Sequence, residues 1–281
     1  MFTRWSQRPS FYAEVGGLGV AAGGFYVYNL ETVPVSGRRR FNIFGPDYER
    51  KLSQGETQQI LQQFGGKLLT DFDPRTRQVK RVINRLIPVC GLADLDWEVY
   101  VVESEMGNAM VVPGGKVFVF TGILPIAKDD DGLAAILGHE ISHAVARHVS
   151  EKISRNVFVW GAAILGDVFF GTGVLGQWAL QLALEMPNSR TQETEADYLG
   201  LLLMAKACYN PQGAVDFWER MAKTGQRAPP QFFNTHPAPA NRAQKMLEWI
   251  PEAEQIRETS NCATTLSYAK EFRQALPPVR W

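Results

Sequence analysis

Residues 133–155 read LAAILGHEISHAVARHVSEKISR, with apolar side chains at Leu133, Ile136, Leu137, Ile141, Val145 and Val149 in the three-and-four rhythm of a helix that buries one face. The pattern predicts one helix from Leu133 to Arg155. His139 and His143 lie on it four residues apart, so they differ by about 40° around the axis and one turn along it. Both imidazoles can then aim a nitrogen at one ion about 2.0–2.1 Å away, the zinc–nitrogen distance. Glu140 stands beside the first histidine, placed to hold an attacking water, take its proton and return it to a leaving amine. The bare H-E-x-x-H pattern arises by chance in something on the order of one chain in a hundred at ordinary composition, so it needs support from elsewhere.

That support lies downstream, in the helical stretch TQETEADYLGLLLMAKAC at residues 191–208. Glu193 and Asp197 are four apart and share a face, whereas Glu195 points about 160° away from either. Glu193 is therefore the expected third zinc ligand. Asp197, one turn on, is placed to accept the far N–H of a ligand histidine and fix its tautomer. Glu195 is expected to be a solvated or capping charge. His148 falls about 180° around the predicted helix from His139, so it should face away from the metal. A metzincin would need Gly and His three and six residues after His143; Ala146 and Val149 stand there, and a carboxylate third ligand is favoured. His236, in FFNTHPAPANR (residues 232–242), reads as a loop histidine, either of the site or of the surface.

Outward from these motifs, 281 residues with 45% hydrophobic content suffice for one catalytic domain and extensions. Lys plus Arg and Asp plus Glu each total 29, so no net field draws nucleic acid to the surface. Cys90, Cys208 and Cys262 are far apart with no C-x-x-C pair, which excludes a thiolate zinc site; three reduced, buried thiols are favoured over one bridge. Residues 1–10 form a basic segment, and 11–30, FYAEVGGLGVAAGGFYVYNL, carry one charge and aromatics at both ends, as a membrane anchor would. A cleaved signal peptide or a buried Gly-rich hairpin are the other readings of that run. Residues 31–47 are expected to be a linker and 48–281 the catalytic domain. Tyr48 to Val89 reads as helical. DWEVYVVES reads as a strand, and NAMVVPGGKVFVFTGIL as two strands turning at Pro113-Gly114-Gly115 before the acidic KDDDG opens the central helix. A substrate peptide is expected to add as a strand along Asn108, Ala109, Met110 and Val111. The apolar run from Val157 to Met186 reads as buried helices beside the site, and Pro211 opens one more helix.

The blocks NAMVVPGGKVFVFTGIL, LGHEISHAVARH, SRTQETEADYLG and THPAPANR, in that order, resemble the HtpX-type and prenyl-protein-type membrane metallopeptidases. VPVSGRRRF after one apolar segment, with EADYLGLLLMAKACYNP, is similar to the Oma-type mitochondrial inner-membrane subgroup. The resemblance implies an α+β, mainly helical, zincin-like domain of the glutamate-ligand class, with a small sheet and an N-terminal membrane helix. It also implies one Zn2+ per chain, endoproteolysis of inner-membrane proteins in quality control and stress response, single-pass anchoring and homo-oligomers. On it the ligand histidines are His139 and His143, the base Glu140, the glutamate ligand Glu193, and the distal pair His236 and Arg242. A bacterial periplasmic protease-chaperone of the same family is the main alternative. A prenyl-protein protease would need several more long apolar spans, and a scaffold with structural zinc would have no use for Glu140.

Overall fold

The computed structural model of the chain describes residues 7–33, 35–170, 189–225, 232, 236, 241–260 and 262. Helix α1 (Phe11–Tyr28) leads into a hairpin of β1 (Leu30–Thr32) and β2 (Arg39–Phe41), then helices α2 (Pro46–Phe64) and α3 (Pro74–Leu86). Strands β3 (Glu98–Val102), β4 (Ala109–Val112) and β5 (Lys116–Phe120) follow, then α4 (Leu124–Ala127), α5 (Asp130–Val145), α6 (His148–Phe170), α7 (Arg190–Lys206), α8 (Gln212–Gly225) and α9 (Arg242–Thr259). The expected α+β, mainly helical class with a small sheet holds.

Local chemistry explains where the elements start. Pro74 occupies the first turn of α3, and the Asp73 carboxylate accepts from Arg75 N at 2.8 Å. The buried stripe Val79, Val82, Ile83 and Leu86 then faces the core, each side chain contributing roughly 1.5–3 kcal/mol by its burial. In the sheet, β5 lies between β3, parallel to it, and β4, antiparallel to it. Val117 and Val119 point to the main core, where α3 and α5 pack, while Phe118 and Phe120 point to the other face, covered by Ile60, Leu61 and Phe64 of α2. Gly114 and Gly115, at φ 96° and 94°, make the turn that joins β4 to β5. This leaves β4 as an edge strand, and it lies against α5.

α5 is capped by Asp129, which accepts from Gly132 N at 2.9 Å, with Asp130 and Asp131 in its first turn. Every residue from Gly132 to His143 is buried, so this helix is the centre of the molecule. α7 starts at a capping box between Ser189 and Gln192, and it crosses α5 where Gly138 meets Gly200. A Cβ on Gly200 would lie 2.8 Å from His139 N, and one on Gly138 would lie 3.0 Å from Gly200 O. Only two glycines let the backbones approach this closely, and the approach carries Glu193 and Asp197 over the histidines.

Three expectations are corrected. The helix predicted from Leu133 to Arg155 is two helices: the chain breaks after Val145, with Arg147 in the left-handed region at φ 49°. The Arg147 guanidinium is anchored on Glu49 at 3.0 Å and on the Phe44 carbonyl, which holds a conformation its own backbone disfavours. Second, residues 31–47, expected to be a linker, include the hairpin, which packs Val33 against Ala146 and Leu199. Third, Cys208 and Cys262 form a disulfide tying the end of α7 to the end of α9, while Cys90 is free and buried; the reading of three reduced thiols fails because α9 brings together two cysteines 54 residues apart. The apolar run 157–186 continues α6 to Phe170; its remainder, 171–186, lies outside the described residues. α1 forms within the expected anchor and buries none of its residues, yet among the described residues no helix is long and apolar enough to cross a membrane.

Candidate metal centre

Four buried side chains converge between α5, α7 and the segment before α9. One ligand atom from each of His139, His143, Glu193 and His236 lies within 4.8 Å of the others. His139 Nε2 and His143 Nε2 are 3.0 Å apart, and Glu193 places its two oxygens 3.4 Å from these nitrogens. His236 Nδ1 is 3.0 Å from Glu193 Oε1 and 3.4 Å from His139 Nε2. Its ring stacks on Phe232, centroids 4.3 Å apart. Two imidazoles, a carboxylate and a third imidazole are the donor set of a borderline-soft divalent cation, and the separations fit a single ion.

Glu140 lies beside this cluster, and its Oε1 is buried with no hydrogen-bond partner. His236 Nε2 is 3.5 Å from it. An unsatisfied buried carboxylate oxygen costs free energy that a merely structural residue has no reason to bear. Burial also pushes the Glu140 carboxyl above its ordinary value, toward the range of a general base working near neutrality.

The electrostatics favour a positive charge at the centre of the cluster. Burial is the largest influence on His139, and with Arg242 it pushes the imidazole down; Asp197 and Glu193 outweigh both and raise it to about 9. Glu193 is held far below the carboxylate range, its burial overcome by hydrogen bonds from His139 and His236. Burial holds His143 well below its usual value, which favours the neutral imidazole that a metal would need. Asp197 Oδ1 is 3.0 Å from His139 Nδ1, though not aligned as a hydrogen bond. Its Oδ2 accepts a close contact from Arg242 Nε.

Arg242, at the start of α9, reaches over the site. Its Nη2 is 3.1 Å from His139 Nδ1 and 3.3 Å from Glu193 Oε2, and the guanidinium lies 3.5 Å above the Trp218 ring. Its Nη1 is buried without a partner. Sequence reasoning missed Trp218, and no local pattern in DFWERM would have revealed it.

Two residues set aside from the sequence belong to this neighbourhood. His148 does not face away: its Nδ1 is 2.7 Å from His143 Nδ1 and its Nε2 is 2.9 Å from Glu195 Oε2. The helix break at Arg147 swings it back. Glu195 is neither solvated nor a cap but 6% exposed, and it also accepts from Arg38 Nε at 2.8 Å. Asn108 is buried at the start of β4, and Ala109, Met110 and Val111 run along the sheet edge.

The profile of peptidase family M48 matches residues 73–250, which contain the whole constellation. The chain belongs to peptidase family M48. It is a metalloendopeptidase, and the family implies a metal, typically zinc. It is 45% identical over 250 residues to the "Mitochondrial metalloendopeptidase OMA1" of Schizosaccharomyces pombe, covering 86% of this chain and 73% of that protein. The protein of the same name from Saccharomyces cerevisiae is 35% identical over 268 residues, covering 88% of this chain and 77% of the relative. A "Beta-barrel assembly-enhancing protease" of Yersinia pestis is 27% identical over 185 residues, covering 61% of this chain and 38% of that protein.

Proposed function

We propose that this M48 enzyme is a zinc endopeptidase of the mitochondrial inner membrane that cleaves misfolded or regulatory membrane proteins, with His139, His143 and Glu193 as ligands and Glu140 as the base. The observation that carries the chemistry is the convergence of these donor atoms beside the unpartnered Glu140 Oε1. A zinc ion held there supplies a Lewis acid that polarises the scissile carbonyl and lowers the pKa of water. Glu140 takes the proton of the attacking water and hands it to the leaving amine. Asp197 orients His139. Arg242, permanently cationic and with Nη1 free, is the partner for the developing oxyanion. His236 would serve as a reversible further ligand and silence the enzyme while it occupies the cluster. The substrate strand lies along β4, an edge strand of the sheet among the described residues.

The mitochondrial reading rests on the names of the relatives at 35–45% identity, against 27% for the bacterial protease. α1 supports a membrane role through its surface rather than its span: Leu18, Val20, Phe25 and Val27 are exposed on it. Gly19 and Gly23, with open space beside both, form a step on which a second α1 would pack in a homo-oligomer. The Cys208–Cys262 bridge suits an oxidising compartment. Incubating the detergent-solubilised chain with a denatured membrane protein, with and without chelator, tests the proposal. Cleavage that chelator abolishes and zinc restores is expected; cleavage indifferent to chelator would refute it.

A further inference from the structure

The two histidines on α5 are held by different means. His139 has a carboxylate, Asp197, directly behind it at 3.0 Å. Behind His143 stands His148, whose Nδ1 is 2.7 Å from His143 Nδ1. His148 Nε2 meets Glu195 Oε2 at 2.9 Å. Glu195 accepts in turn from Arg38 at 2.8 Å and from Ser36, and the remaining edge of Arg38 is clamped by both oxygens of Glu151, at 2.8 and 2.6 Å. The chain of contacts runs from the site to the turn of the β1–β2 hairpin, which directly follows α1.

Proton bookkeeping gives this chain a direction. An ionised carboxylate only accepts, so the proton between His148 and Glu195 sits on His148 Nε2. A neutral His148 then has a lone pair at Nδ1, which accepts from His143 Nδ1–H. That leaves His143 Nε2 unprotonated, and this is the nitrogen facing His139 and Glu193. Both members are out of water, His148 at 1% and Glu195 at 6% exposure, so no solvent competes for these hydrogen bonds.

We infer that His148, Glu195 and Arg38 are positioning residues that set the tautomer and aim of His143, so that metal affinity depends on how the hairpin after α1 is seated. The inference rests on the metal reading above. Among the described residues of the cluster, His143 is backed by a second imidazole at its far nitrogen, and Arg38 makes that support conditional on a segment outside the 73–250 match. A shift of the hairpin withdraws Arg38 from Glu195, frees His148 to rotate, and loosens one ligand while His139 and Glu193 stay in place.

The test is zinc titration of the full chain, metal-stripped, against a competing chelator dye, with the visible spectrum of the cobalt-substituted protein recorded alongside. His148→Phe, which fills the space without an acceptor, should weaken zinc about 10- to 100-fold and shift the cobalt bands. His148→Asn, whose Oδ1 can replace Nδ1 as acceptor, should recover most of the affinity and the wild-type spectrum. Arg38→Ala should weaken zinc in the same direction as His148→Phe. Folded His148→Phe and Arg38→Ala proteins with wild-type affinity and spectrum would overturn the relay. Equal losses in His148→Phe and His148→Asn would also overturn it, because packing rather than an acceptor would then be at work. If His148→Phe does not fold, Arg38→Ala and His148→Asn decide alone. A wild-type chain that takes up no zinc would instead bring down the metal reading itself, and the relay with it.

Discussion

Three acidic side chains in five residues of α7 turn to three sets of partners, divided by helix geometry. Glu193 turns to the cluster, Asp197 to His139 and Arg242, and Glu195 to His148 on the opposite side. Glu193→Ala should therefore abolish zinc uptake, whereas Asp197→Ala should retain the site with affinity lowered about 10- to 100-fold. Zinc titration separates the two, and wild-type affinity in both would refute the division. The face occupied by Glu193 and Asp197 was legible from a helical wheel. That Glu195 is buried was not, because the hairpin covering it lies some 150 residues earlier in the chain and no nearby pattern announces it. On the proposed mechanism, His236 and Arg242 have separable roles. His236→Ala should raise basal proteolysis, and Arg242→Ala should lower it by about 10²- to 10³-fold as an oxyanion partner is lost. Proteolysis unchanged in both variants would leave the pair purely structural.

At the scale of elements, the site depends on how closely α5 and α7 cross. Gly200→Ala places a methyl 2.8 Å from His139 N, against backbone that cannot yield without moving His139. The variant should lose about 1–3 kcal/mol in denaturant unfolding and bind zinc more weakly; wild-type stability and affinity would show the crossing to be slack. The strands and their turn were readable from alternation and from Pro113-Gly114-Gly115. The break between α5 and α6 was not, because AVARH holds neither Gly nor Pro and the apolar rhythm runs on through Val149. The distant clasp on Arg147 by Glu49, Glu31 and the Phe44 carbonyl explains it. On the sheet edge, Asn108 O accepts from Phe120 N at 3.0 Å, so in the antiparallel ladder the N–H of Val111 points away from β5. Val111→Pro should thus spare the sheet and the metal yet slow cleavage of long substrates, measured against an unchanged zinc content. Undiminished cleavage would count against strand addition.

At the scale of the molecule, the Cys208–Cys262 bridge closes a loop of 54 residues that contains both His236 and Arg242. Constraining a loop of that length is worth about 4 kcal/mol in the chain-entropy description. Cys208→Ser should lower the unfolding midpoint under non-reducing conditions, and an unchanged midpoint would show that α9 is held by its packing on α7 and α8 alone. The pairing could not be read from three cysteines with no motif, since it depends on where α9 docks. The central claim is that the whole chain is a metal-dependent endopeptidase with Glu140 as its base. Its most direct test is to purify Glu140→Gln beside the wild type and measure bound zinc and cleavage of an unfolded protein on the same samples. Equal zinc content with cleavage reduced by about 10²- to 10⁴-fold is the expected result; a zinc-loaded Glu140→Gln protein that cleaves at the wild-type rate would contradict it.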